Sequence, residues 1–262
     1  MKNKLRNVLI GVLCVAVLIL LAVAVVRSHN QKCETLKISI AQSDCSKYFT
    51  EQQALQLLKN SDVYPVGKKI REIDAAALKK TLSQNPWFND LKNISIEGTT
   101  LTLTLSVTTP IAMVFPLSNQ PYILGNNGAM LPDNPQCTNL TIINGNINVP
   151  YTRAANVNSL NNKPLIEAYR TALQISKSAT SRAQFPQIYV NNIGQIELYS
   201  TLGNHLILLG DASNIADKLN NIRSVYANGI LPLGANNYSY LDARFPDRIY
   251  ARKTELKVSS TP

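Results

Sequence analysis

Near the C-terminus, YLDARFPDRIYARK (Tyr240 to Lys253) sets Asp242 and Asp247 beside Arg244, Arg248, Arg252 and Lys253 among alternating apolar positions. Such a run could move protons, grip phosphates or form a sheet edge built to hold another protein. Proton transfer needs a group poised near neutral pH. Asp242 and Arg244 are two apart, so in a strand they share a face and pair, which keeps the carboxylate ionised and predicts a surface ion pair. Asp247 follows Pro246, a turn position that favours Asp for its own backbone hydrogen bonding. His205 falls in an apolar strand, HLILLG, and reads as a satisfied strand histidine; the other histidine is His29. Cys14, Cys33, Cys45 and Cys137 show no CxxC spacing, and a zinc site would need ligands this chain hardly has. GxSxG, SxxK, HExxH and the phosphate-binding GxxxxGK pattern are all missing from the sequence. The expectation is a binding or scaffold protein with no catalytic, metal-binding or cofactor-binding residues and no small-molecule substrate.

The formal charge is +10, yet no block of five basic residues occurs, a weak signal for nucleic acid. The N-terminus sets the compartment. Lys2, Lys4 and Arg6 precede VLIGVLCVAVLILLAVAVV, residues 8–26, which carry no charge. At ~1.5 Å per residue this run spans roughly 28 Å, the hydrocarbon thickness of a bilayer. The basic flank stays cytoplasmic, so the chain from Arg27 onward lies outside. A cleaved signal peptide is the alternative, since Ala22-Val-Ala24 resembles a peptidase site. Both readings export the bulk of the chain and argue against genomic DNA or a cytosolic nucleotide as partner. Cys33 and Cys45 flank a predicted strand in an oxidising compartment, so a disulfide between them stands as an option beside free thiols.

The elements that position these residues follow from pattern. LKISIA, 36–41, alternates like a strand. Thr50 with Gln53 makes a capping box for a helix carrying Leu55 and Leu58. Asp74 caps a second helix through Leu78 and Leu82, and Asn85-Pro86 stops it. LKNISIE, 91–97, and TLTLTLSV, 100–107, are separated by Gly98-Thr99 and read as a hairpin. Trp87 is expected to seal the helix–sheet core. This is a small α+β domain of order β-α-α-β-β. Beyond Pro110, Asn127-Gly128 predicts a hairpin with positive φ at both turn positions. Residues 132–163 are rich in Asn and Pro, with one short strand at 140–143. A helix after Asn162 carries Ile166, Tyr169 and Leu173 on one face. Strands recur at 187, 195 and 205. A last helix from about Ser213 shows Ile215, Leu219, Ile222 and Tyr226 to the core and ends at Asn228-Gly229. The final strands turn at Pro246-Asp247, and the tail after Leu256 is read as disordered.

Several runs resemble one family. The exported β-α-α-β-β unit looks like a POTRA domain, and a short tail, one span, one POTRA domain and a strand-rich domain resemble FtsQ/DivIB, the bitopic division proteins. Val66-Gly67-Lys68 with Ile70 and Ile73-Asp74 resembles that family's approach to its second helix. Leu82-Ser-Gln-Asn-Pro-Trp87 resembles its helix exit, and Thr109-Pro110-Ile111-Ala112 its domain junction. Asn127 to Pro132 resembles its hairpin, Leu209-Gly210 with Lys218-Leu219 its L-G…K-L pair, and Leu241 to Phe245 its near-terminal D-L-R-Y/F. Ala243 stands where Leu is usual, and 132–163 has no counterpart in the pattern.

The resemblance implies an α+β fold: cytoplasmic tail 1–7, transmembrane helix 8–26, POTRA domain 34–109, a mostly antiparallel β domain with two helices at 110–255, and a flexible tail 256–262. It implies a non-enzymatic scaffold of septal peptidoglycan synthesis in the cell inner membrane, with its bulk in the periplasm. FtsB/FtsL-like partners would be bound through the POTRA domain and the terminal strands. Tyr240, Asp242, Arg244, Phe245, Arg248, Tyr250 and Arg252 are the candidate partner-binding residues. The alternative is a POTRA-containing scaffold of outer-membrane assembly or secretion.

Overall fold

The computed structural model describes residues 15–17, 19, 31–41, 49–117, 120–245 and 247–254. The predicted tail 1–7, nearly all of the predicted span 8–26, Cys14, His29, Cys45, Pro246 and the tail 256–262 lie outside them. Among the described residues no helix is long and apolar enough to cross a membrane. The chain divides after Val107 into two compact units.

In the first unit the local signals decide the elements. Thr50 Oγ1 accepts from Gln53 N at 3.3 Å while Gln53 Oε1 accepts from Thr50 N at 2.9 Å, closing the reciprocal cap of α1, Glu51–Lys59. Ala54 and Leu58 of α1 are buried, and Leu55 lies at the rim. Asp74 Oδ1 accepts from Ala76 N at 2.8 Å and caps α2, Ala75–Leu82, whose Leu78 and Leu82 point inward. Strand β1, Thr35–Ile40, pairs in parallel with β3, Thr100–Val107, and β3 pairs antiparallel with β2, Phe88–Glu97. Gly98, at φ +60°, occupies the two-residue loop between β2 and β3. Leu101, Leu103, Leu105 and Val107 alternate inward along β3, and Trp87 is buried with them as expected.

The second unit is one nine-stranded mixed sheet. Its strands are β4 (Pro110–Val114), β5 (Tyr122–Gly125), β6 (Met130–Pro132), β7 (Thr141–Gly145), β8 (Gln187–Val190), β9 (Ile196–Tyr199), β10 (Leu206–Gly210), β11 (Tyr238–Asp242) and β12 (Tyr250–Lys253). Their spatial order is β12-β11-β10-β9-β8-β7-β4-β5-β6. Three pairings are parallel: β10 with β11, β4 with β7 and β7 with β8. The helices are α3 (Lys163–Ser176), α4 (Ala179–Gln184) and α5 (Ile215–Val225). The short α4, capped by Ser178, escaped the sequence pattern because it carries no apolar stripe.

Three expectations need correction. The hairpin turn uses positive φ at Gly128 alone (+82°), not at Asn127. Gly128 N donates to Gly125 O at 2.9 Å and Gly125 N to Ala129 O at 2.9 Å, the pattern of a turn followed by a glycine bulge. The buried face of α3 is Leu165, Ala168, Tyr169, Ala172 and Ile175, with Ile166 and Leu173 only flanking it. The last helix does not stop at Asn228-Gly229. It widens into a π-helical turn, Tyr226–Ile230, and a short α6, Leu231–Leu233, because Ile230 is buried in the core; Gly234, at φ +88°, ends it.

The Asn-rich stretch has a structural use. Asn156 Nδ2 donates to Asn127 O at 2.9 Å, Val157 N to Gly128 O at 2.8 Å, and Met130 N to Ala155 O at 3.0 Å. It therefore clasps the β5–β6 hairpin. Asn126 in turn holds the Thr109 junction: its N donates to Thr109 O at 2.8 Å and its Oδ1 accepts from Thr109 N at 3.2 Å.

Candidate functional site

The terminal hairpin takes its register from β10. Leu208 stands opposite Asp242 in the parallel pairing, and Ala243 N donates to Leu208 O at 2.9 Å. Leu241 and Ala243 are buried in the core, as their alternation predicts, but Phe245 on the same side of that alternation is exposed. Strand β12 follows antiparallel to β11 and is the outermost strand; all four of its residues are exposed. Among the described residues nothing pairs with its outer edge, so a row of backbone donors and acceptors faces away from the sheet.

Asp242 is only 8% exposed, a correction to the surface pair expected of it. Its carboxylate is gripped at both oxygens by Arg244, Nε to Oδ1 at 2.9 Å and Nη2 to Oδ2 at 2.6 Å. Arg244 N also donates to Oδ1 at 3.2 Å. The guanidinium hydrogen bonds hold the Asp242 carboxyl below its usual range, so it is a fixed anion and an anchor for Arg244. Phe245 and Tyr250 meet edge to face at 5.3 Å between ring centroids, with Arg244 over the Phe245 ring at 5.9 Å. Arg252 lies over the Tyr240 ring at 5.4 Å. Arg248 pairs with Asp247 at 2.7 Å in the exposed connection. All seven predicted residues thus fall on one hairpin, and two Arg–aromatic contacts link six of them into neighbouring groups with the Asp242 and Tyr250 pairings.

Below the hairpin, the sequence missed a concave site. A cavity of about 420 Å³ is lined by Lys163, Glu167, Gly194, Asp211, Lys218 and Arg244, among others. Lys218 is 5% exposed, and its ammonium donates to Leu209 O at 2.9 Å, Asp211 O at 3.0 Å and Asp211 Oδ1 at 3.0 Å. All three of its protons are thereby placed, which a buried ammonium requires. Hydrogen bonds from Ser213 and then Lys218 draw the Asp211 carboxyl down to about 2. Glu167 accepts from Ala212 N at 2.8 Å and ties α3 to the same loop. The available signal was Lys218 itself: with Ile215, Leu219 and Ile222 it lies on the helical stripe that should be apolar.

His205 precedes β10 rather than lying inside it and is 3% exposed. Its Nε2 shares a hydrogen bond with Tyr226 Oη, and the rings are 5.4 Å apart. Nδ1 is buried without a well-formed hydrogen bond, so the histidine is only half satisfied, a correction to the satisfied histidine expected. Burial lowers its pKa, and burial pushes Tyr226 up to about 12. In the first unit Cys33 is a buried free thiol whose Sγ donates to Thr35 O at 3.5 Å; its candidate partner Cys45 lies outside the described residues. Among the described residues no three His, Cys, Asp or Glu side chains gather to hold a metal.

A family model described as FtsQ/DivIB, C-terminal related, matches residues 109–251, and one described as a POTRA-like domain matches residues 31–99. No curated protein matches the chain.

Proposed function

Since the chain belongs to the FtsQ/DivIB family, we propose that it is a non-enzymatic scaffold of cell division, anchored by residues 8–26 with its POTRA-like and β domains outside the membrane. Its partners in this reading are FtsB/FtsL-like proteins, taken up as an added strand on the outer edge of β12. The observation that carries the reading is that open edge: β12 is exposed, has one strand neighbour, and is backed by a hairpin whose charged and aromatic groups are already fixed. Main-chain hydrogen bonds would supply affinity and side chains specificity. Arg244, Arg248, Arg252 and Lys253 favour a segment carrying acidic residues.

The test is co-purification of the full chain from membranes with identification of its partners. Recovery of division proteins, lost when a Pro replaces Ala251 and removes an edge-strand donor, supports the reading. Recovery of outer-membrane assembly proteins instead would overturn it.

A further inference from the structure

We propose that Lys32, Lys68, Lys69 and Arg71 of the first unit form a basic face that docks on the anionic phospholipid headgroups of the membrane holding the chain. The inference rests on the anchor reading given above.

Chain length sets the reach. Lys32 follows Val26, the end of the apolar run, by six residues. A fully extended tether of that length measures roughly 20 Å, so Lys32 cannot stray far from the headgroups. The loop 66–71 is fastened to the same point. Cys33 N donates to Lys68 O at 2.9 Å, Gly67 N to Cys33 O at 2.7 Å, and Ile70 N to Gln31 O at 3.0 Å. Lys32 and Lys69 stand opposite each other in an antiparallel bridge.

That bridge is electrostatically unfavourable. Side chains directly opposite in such a pairing stand on one face, and like charges there repel. Little within the protein offsets it. Among the described residues Glu72 is the carboxylate within ion-pair distance of this group, 3.6 Å from Lys69 and 3.9 Å from Arg71, too long for hydrogen bonds. Lys68 spends its ammonium on the backbone carbonyl of Asp62. Of the four cations, Lys69 and Arg71 reach this one carboxylate, and both are about half exposed. An anionic surface removes the repulsion and gains from each cation, within about one Debye length. Docking would fix how the first unit leaves the membrane.

The test is amide hydrogen exchange of the full chain in nanodiscs of phosphatidylcholine, with or without about one-third phosphatidylglycerol. Residues 31–33 and 66–71 should exchange about fivefold more slowly in the anionic discs, and the difference should vanish in about 1 M salt. It should also vanish in the K68E/K69E/R71E and K68Q/K69Q/R71Q variants, whose exchange in neutral discs should be no faster than the parent's, since both remove the repulsion between Lys32 and Lys69. Equal exchange in both lipids, in a chain that survives a carbonate wash, overturns the docking face alone. Protection that persists in the variants also overturns it. A chain stripped from the discs by carbonate overturns the anchor reading and this inference with it.

Discussion

The side chain of Arg244 runs across the α-carbon of Gly210: Arg244 Cγ lies 3.0 Å from where a β-carbon on Gly210 would stand. Gly210 also adopts φ +75°, which L side chains avoid. Two short runs, Leu209-Gly210 and Asp242-Ala243-Arg244, thus form one fitted unit across the parallel β10–β11 pairing.

Gly210→Ala should cost about 1–2 kcal/mol from the backbone alone and also displace Arg244. The expected outcome is a lowered thermal midpoint together with a loss of partner affinity larger than stability explains. Titrating an FtsB-like segment at a temperature where the variant is folded separates the two effects.

Charge reversal at Arg244, Arg248 and Arg252 should weaken capture of FtsB/FtsL-like partners by at least about tenfold. Circular dichroism should stay unchanged for Arg248→Glu and Arg252→Glu, whose parent side chains are exposed, whereas Arg244→Glu also strips the buried Asp242 carboxylate of its cation and should lower the thermal midpoint, so capture is measured where each variant is folded. Unaltered capture would remove the basic hairpin from the binding surface.

Lys218→Met should destabilise the chain by about 2 kcal/mol by leaving the Leu209 and Asp211 acceptors without their buried donor. The carboxyl of Asp211 should move back up toward the ordinary Asp range, which carbon-detected NMR titration reads directly.

His205 gives a pH dependence of definite sign. Burial lowers its folded pKa, so below an unfolded value of about 6.5 the unfolded chain binds a proton that the folded chain refuses. Stability should therefore fall as pH drops from 7 toward the folded pKa, above the range where Asp211 and Asp242 lose their contributions. Thermal midpoints of the parent and His205→Asn across about pH 5–7.5 check this: the variant should lose the slope in that window.

Gly128→Ala should be among the costlier single changes in the second unit, about 2 kcal/mol or more. A β-carbon there would stand 2.5 Å from Asn158 Nδ2 and 2.6 Å from Asn156 Oδ1, at φ +82°. Asn156→Ala should cost about 1 kcal/mol by releasing the clasp on Asn127. Urea unfolding of both variants measures the contrast.

Much of this was legible in the sequence because it is local. The Thr50–Gln53 and Asp74 caps, the Gly98-Thr99 loop and the alternation of Leu241 and Ala243 each depend on residues within a few positions of one another. So does the hairpin that gathers Tyr240 through Arg252, and the family pattern read along the chain is the one its models match. Where local preference met a long-range demand, it lost. Asn228-Gly229 should end a helix, yet burying Ile230 carries the chain onward as a π-turn.

The sequence by itself determined most of the elements, the inward faces of the regular strands and the family. Only the tertiary structure decided which strands are neighbours. Parallel pairing of β10 with β11 joins segments some thirty residues apart, and nothing in either strand's alternation names its partner. That pairing sets Gly210 beneath Arg244 and leaves β12 at the edge, because hydrogen-bond register between distant strands is settled by the packing of the whole sheet.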